Sequence, residues 1–141
     1  WPGESKYIVF GGVNLSENPA KIQLQLGEPV WREIKNFSGV SLSLSNVNYG
    51  NSQSGSGKFF EVNFKANNDT PYNLAKVIIS SVVLNENNTP IAVASTLLEN
   101  LQSKENRSAN ISWFSPFSGT PSNVDLTIST NLWETPELIG E

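Results

Sequence analysis

The sequence predicts an all-β protein, an immunoglobulin-like antiparallel β-sandwich with an N-terminal half-repeat of two to three extra strands. Short segments in which apolar and polar residues alternate with a period of two indicate strands. Turn-forming Gly, Pro, Asn and Ser residues separate these segments at short spacing, and no segment shows the 3.6-residue period of an amphipathic helix.

Seven segments carry a strand pattern. Two of them, residues 77–84 and 91–98, are longer apolar runs rich in β-branched residues, which is typical of central strands. In the others an apolar residue alternates with a polar one, which is typical of a strand with one buried and one solvent-facing side. These alternating segments are residues 22–26, 40–44, 60–64, 109–113 and 124–128.

Turn signals lie between the segments. Each contains Pro, Gly, Asn or Ser, residues that favour the backbone angles or local hydrogen bonds of turns. The predicted turns are residues 17–19, 49–57, 67–71, 85–90, 102–106 and 115–121.

The beginning of the chain is similar to its end. A gapless shift of 102 residues places Pro19 on Pro121 and Trp31 on Trp133, and apolar residues fall on apolar residues between them. We therefore predict an internal repeat about the size of one immunoglobulin-like sandwich. Residues 1–34 would be the C-terminal strands of a preceding or complementing repeat, and residues 35–141 one complete repeat. Trp31 and Trp133 would mark the module junctions.

Residues 1–34 supply too few strands to fold alone, because an isolated hairpin is marginally stable in water. The sequence begins with Trp1 rather than Met, which predicts a processed product, a fragment or part of a longer chain. We expect residues 1–13 and 20–27 to pair as strands with a sheet not wholly their own. That sheet could belong to a missing preceding half, to the complete repeat, or to a neighbouring molecule that receives a donated strand. Donation would make the protein a filament subunit, since head-to-tail contacts that do not close give open polymers.

The composition excludes several chemistries. The chain has no Cys and no His, so disulfides, thiolate or imidazole metal sites and His-based acid–base catalysis are absent. Its nine basic residues are scattered against 13 acidic ones and make no stripe for nucleic acid. No apolar run approaches the roughly 20 residues of a membrane span.

Catalysis has no recognisable signal in the sequence. The chain has only two Asp residues, and neither a Gly-x-Ser-x-Gly nor a Ser-x-x-Lys motif is present. A weak calcium-loop fragment at residues 67–69 is equally well an Asn-rich turn. We therefore predict no catalytic residues, no metal site and no cofactor, and a protein that is not an enzyme.

Six Asn-x-Ser/Thr triplets occur in the chain. An Asn- and Ser-rich sequence produces such triplets by chance, but they are also the acceptor sites of glycosylated surface proteins. Either interpretation is typical of secreted material, so we predict an extracellular or cell-surface location. The candidate acceptors are Asn14, Asn36, Asn68, Asn87, Asn106 and Asn110.

Residues 59–117 resemble the FxLYD-type immunoglobulin-like modules of envelope-anchored proteins in bacteria and archaea. Residues 67–70 are similar to the family's Asn-rich turn, residues 83–87 to its Leu-Tyr-Asp segment, residues 102–107 to its Pro-Gly-Glu-Ser turn, and residues 111–117 to its Phe-Thr-Trp-Pro-x-Pro-Phe segment. Asn85 replaces the Tyr, and the 102–107 turn lacks the Gly. The resemblance covers less than half of the chain. It implies the fold and an envelope location, and no active site.

Two functions from different classes follow as hypotheses. The preferred one is a non-catalytic structural module of an extracellular surface protein or filament, which assembles with itself through strand pairing or strand donation between repeats. The alternative is an adhesive module that binds glycans or peptides through residues 49–57 or 115–120. Trp31, Trp113 and Trp133 would pack in the core or at module junctions in the first case, and stack on sugars in the second.

Overall fold

The computed structural model describes residues 39–54 and 57–135, together with residues 9, 21 and 23–28. The described residues form two antiparallel three-stranded sheets that pack around one core, so the predicted all-β sandwich is confirmed. The strands are β1 (Leu42–Ser54), β2 (Gly57–Asn68), β3 (Leu74–Asn85), β4 (Pro90–Leu101), β5 (Asn106–Trp113) and β6 (Pro121–Thr130), and a 3₁₀ helix, η1 (Leu132–Glu134), follows β6.

The strand order results from how the chain crosses between the sheets. One sheet has the order β1-β2-β5 and the other β4-β3-β6. The β1–β2 and β3–β4 hairpins each stay within one sheet, whereas the other three connections cross to the opposite sheet. These orders correspond to strands A-B-E and C′-C-F of an immunoglobulin-like sandwich, in which strand G lies beside F. The position of strand G in this fold is the side of β6 that faces away from β3, where the described residues place no strand.

The chain enters and leaves the sandwich at the same end. β1 begins at Leu42, opposite Asn68, and β6 ends at Thr130, opposite Val77 at the start of β3. We call this the entry end. The opposite end, which we call the far end, contains the β1–β2, β3–β4 and β5–β6 connections.

The core lies between the two central strands. β2 buries alternate residues Phe60, Val62 and Phe64, and β3 buries Val77 and Ile79 against them. Burial of one such side chain stabilises the fold by about 1.5–3 kcal/mol. The apolar residues whose alternation predicted a half-buried strand over residues 60–64 are therefore the residues that β2 contributes to the core.

One of the two predicted central strands is an edge strand. β3 lies between β4 and β6 and is buried on both sides over residues 79–84. β4, in contrast, pairs only with β3 among the described residues and exposes Val93 and Leu97. An apolar run does not distinguish these positions, because an edge strand also packs one side on the core. Pro90, which lacks a backbone N–H, begins β4, a position typical of edge strands.

The turn predicted over residues 49–57 is wrong in extent. Tyr49 to Ser54 continue β1, and their partners run from Val62 to Gly57 on β2. The hairpin is therefore longer than the apolar alternation, because backbone pairing with β2 holds a polar segment in the sheet. The register shifts between Ser45 and Asn48, where Asn46 has a φ of 52°. Asn tolerates this left-handed backbone angle. The register shift is a β-bulge, and it interrupts the alternation of apolar and polar residues, so the pattern does not predict the rest of β1.

The strand predicted over residues 22–26 is not formed by the described part of this segment. Residues 23–28 carry no regular secondary structure, and Leu24 and Leu26 are 66% and 74% exposed. Most of the predicted strand over residues 1–13 and the junction residue Trp31 lie outside the described residues. The half-repeat and the boundary at residue 35 therefore stay predictions.

Candidate functional site

The far end carries a groove lined by aromatic side chains. Its volume is about 390 Å³, and we call it the aromatic groove. The end of β5 and the β5–β6 loop form one wall, and the beginning of β2 forms the other. The aromatic residues of the lining are Phe59, Phe60, Trp113, Phe114 and Phe117, and its polar side chains include Asn51, Lys58, Ser115 and Thr120.

Two groups of rings build the groove. Phe60, Trp113 and Phe117 pack on the core side, with ring centroids 5.3–6.1 Å apart. Phe59 and Phe114 form a second pair at 5.4 Å. Phe59 and Phe60 are consecutive on a strand, so their rings point to opposite sides of the sheet. Phe114 is 77% exposed, which leaves one large ring available for contact with another molecule.

The polar features of the groove are few. Lys58 is the only charged residue of the lining, it is exposed, and no carboxylate of the described residues forms an ion pair with it. Trp113 Nε1 is buried and has no hydrogen-bond partner. An apolar groove with one cation and a few hydroxyl and amide groups suits a ligand that is mostly apolar and carries a negative charge.

At the entry end Asn68 joins two connections. Its side chain is fully buried, and the two N–H groups of its Nδ2 are shared among the carbonyl oxygens of Tyr72 (2.8 Å), Leu101 (3.2 Å) and Gln102 (2.9 Å). Its Oδ1 accepts from the backbone N–H of Thr70 at 3.1 Å. The β2–β3 and β4–β5 connections are thereby joined through one amide, so this end of the sandwich is fixed by buried polar contacts.

An ion pair supports the β4–β5 turn at the same end. Arg107 Nε donates to Glu105 Oε1 at 2.7 Å, and the Gln102 backbone N–H donates to Glu105 Oε2 at 2.7 Å. Arg107 also donates to the carbonyl oxygens of Glu99 and Asn100. The side-chain bond from Arg107 and the backbone bond from Gln102 both lower the pKa of Glu105 below its usual 4.5.

The third feature is the edge of β6 that faces away from β3. Among residues 39–54 and 57–135, β6 pairs with β3 alone. Its core-facing residues Val124, Leu126 and Ile128 are all only partly buried, although they pack on the core. On β5, an edge strand of the opposite sheet, Ala109 and Trp113 are likewise partly buried, but Ile111 is only 5% exposed. None of the three core-facing residues of β6 is buried to that degree.

The predicted site residues fall at different places. Asn87, Asn106 and Asn110 are exposed, whereas a glycan on the buried Nδ2 of Asn68 would displace the bonds that it donates. Trp133 lies in η1 at the entry end and is 48% exposed, so it is not a core residue, and its junction role stays a prediction. Outside the described residues lie Asn14, Asn36 and Trp31.

Sequence reasoning found part of the aromatic groove. The two loop segments proposed for ligand binding, residues 49–57 and 115–120, do lie together at the far end. It missed the contribution of Lys58, Phe59, Phe60 and Phe114, which also line the groove. The signal was present in the Phe59-Phe60 pair, since one of two consecutive strand residues must face away from the core.

The described residues contain neither a cluster of metal ligands nor a membrane-spanning helix. No group of three or more Asp or Glu side chains there converges in a way that could hold a metal ion. In that same part of the chain, no helix has the length and apolar character needed to cross a bilayer.

Comparisons with known proteins identify no family for this chain. No protein-family model matches it, and no curated protein matches its sequence. Among solved structures, it is similar to the crystal structure of a DUF1425 family member from Shewanella sp. pv-4, with a TM-score of 0.47 and 15% identity over 70% of this chain and 86% of the other.

Proposed function

We propose that this protein is a non-catalytic structural module of an extracellular surface assembly, and that copies or repeats of it join by adding a strand to the edge of β6 that faces away from β3. The module would be of the FxLYD type that residues 59–117 resemble. The observation that carries the proposal is the exposed, alternating pair Leu24 and Leu26, in a chain whose sandwich has an incompletely covered edge.

The donor segment has the pattern that an added strand needs. In residues 23–26 the exposed leucines alternate with Gln23 and Gln25, so that an extended conformation would put both leucines on one side. Beside β6 that side would cover Leu126 and Ile128. Backbone hydrogen bonds to the edge would supply affinity, and the leucines would fix the register.

The topology gives a reason why the donor segment would not form a hairpin with the residues before it. By the 102-residue shift, residues 4–11 correspond to β5 and residues 19–28 to β6. β5 and β6 lie in different sheets and do not pair with each other. A segment with this pattern would therefore need two acceptor sheets rather than form a hairpin, which favours partners outside the segment.

A matched pair of variants tests the proposal. Leu24→Lys with Leu26→Lys places two charges on the apolar side of the donor, whereas Gln23→Lys with Gln25→Lys places the same charges on its polar side. We expect light scattering to show concentration-dependent assembly of the unmodified chain, loss of assembly in the leucine variant, and retention in the glutamine variant. Amide exchange at β6 should slow on assembly.

Two results would contradict strand addition. One is a chain that stays monomeric at all concentrations and is unaffected by a peptide of residues 20–28. The other is an equal effect of the two lysine pairs, which would indicate a response to charge rather than to the apolar side of the donor.

A further inference from the structure

We propose that the aromatic groove binds residues 136–139 of a second copy of this chain, an end-to-end contact separate from the strand addition at β6. The segment reads Pro-Glu-Leu-Ile and lies outside the described residues. The inference goes beyond the proposed function because it uses different residues on both sides of the contact.

The groove and the segment have complementary charge and polarity. Lys58 is the only charged residue of the lining, and Glu137 is the only charged residue of the segment. Pro136, Leu138 and Ile139 are apolar, as a groove lined by five aromatic rings requires. Aromatic grooves accept extended proline-containing peptides, because proline loses little conformational entropy on binding.

The segment leaves the sandwich at a fixed point. Thr135 is 2% exposed, its Oγ1 accepts from the Ala75 backbone N–H at 3.5 Å, and its own N–H donates to the Leu132 carbonyl at 3.1 Å. Thr135 therefore holds the chain at the entry end, immediately before Pro136. The groove lies at the far end, next to Pro121, where β6 begins.

The distance excludes a contact within one chain. The ten residues of β6 separate the two ends by about 30 Å, at roughly 3.3 Å per strand residue. Four extended residues span at most about 14 Å. The segment can therefore reach only the groove of another copy, while its own groove remains available to a third. Such heterologous contacts generate a ring if the rotation between copies closes and an open filament if it does not.

The experiment titrates a synthetic peptide of residues 135–141 into the full chain and follows binding by calorimetry, with tryptophan emission as a second signal. We expect saturable binding that weakens at least about 10-fold in Phe114→Ala, because an aromatic anchor is lost. Lys58→Glu should weaken it about 3–5-fold, the effect of one exposed ion pair, and a Glu137→Lys peptide should restore binding to that variant. Lys65→Glu, an exposed charge reversal on the same strand, is the control and should bind as the unmodified chain does.

Each other outcome overturns the inference. A scrambled peptide that binds equally well, equal effects of Lys58→Glu and Lys65→Glu, or no binding would each exclude this occupant. Binding of an oligosaccharide in place of the peptide would assign the groove to a different ligand. The leucine variant that abolishes strand addition should bind the peptide normally, so a failure of either contact is distinguishable from a failure of the other.

Discussion

At the scale of single residues, Asn68 is the side chain on which the entry end depends most. It is fully buried, and its amide bonds with both the β2–β3 and the β4–β5 connections. The sequence presented Asn68 as a turn residue, as part of a weak calcium-loop fragment and as the Asn of a glycosylation triplet. Its structural role was not predictable, because the carbonyl groups that it contacts come from Leu101 and Gln102, more than 30 positions away.

We predict that Asn68→Ala destabilises the fold by about 2–4 kcal/mol, because it leaves buried carbonyl groups without a donor. Asn110→Ala also removes a triplet, but Asn110 is exposed, and its loss should change the free energy of unfolding by no more than about 0.5 kcal/mol. Urea unfolding of both variants measures the difference. Equal stabilities would show that the Asn68 bonds are not maintained in solution.

The lowered pKa of Glu105 predicts that the free energy of unfolding depends on pH. Its pKa is lower in the folded chain than its usual 4.5, so the charged form favours folding. This contribution is complete above pH 4.5 and is lost as the pH falls through the lowered pKa. Urea midpoints of the unmodified chain and Glu105→Gln should therefore differ at pH 7 and converge at the acid end. A gap that persists unchanged to pH 2 would exclude the ion pair as its cause.

At the scale of elements, the periodicity predicted strands well where one side packs on the core. β2, β5 and β6 each contain their predicted segment. The pattern was insufficient in two other cases. The second half of β1 is polar and is a strand only because β2 pairs with it, and β4 has an apolar sequence although it lies at an edge. Pairing partners and neighbours decide such cases, and they are distant in sequence.

β3 provides a direct test of which side of a strand faces the core. Ile79 is fully buried in the core, whereas its neighbour Ile78 faces the other side and is 44% exposed. We predict that Ile79→Ala costs about 2–5 kcal/mol, through lost burial and the cavity that remains. Ile78→Ala should cost clearly less, because that side chain keeps much of its contact with water. Thermal and urea unfolding measure the stability of both variants. A larger loss of stability in Ile78→Ala than in Ile79→Ala would show that Ile79 is not the residue that faces the core.

At the scale of the whole molecule, both connections to neighbouring segments lie at the entry end, and the aromatic groove lies at the far end. Sequence analysis predicted the loops that meet there but not that they meet. Their proximity depends on the crossing order of the strands, which brings the β1–β2 hairpin beside the β5–β6 loop.

The division of the chain at residue 35 leads to a prediction for the isolated sandwich. Among the described residues, the buried core residues lie between Phe60 and Ile111, and the partly buried residues around them lie between Val40 and Leu132. A fragment of residues 39–135 should therefore unfold cooperatively, with a melting temperature close to that of the full chain. Because it lacks Leu24, Leu26 and residues 136–139, it should neither add a strand to another copy nor occupy its groove, although its own groove should still bind the 135–141 peptide. If the fragment is unfolded by circular dichroism, residues before 39 contribute to the core, and the boundary at residue 35 is wrong.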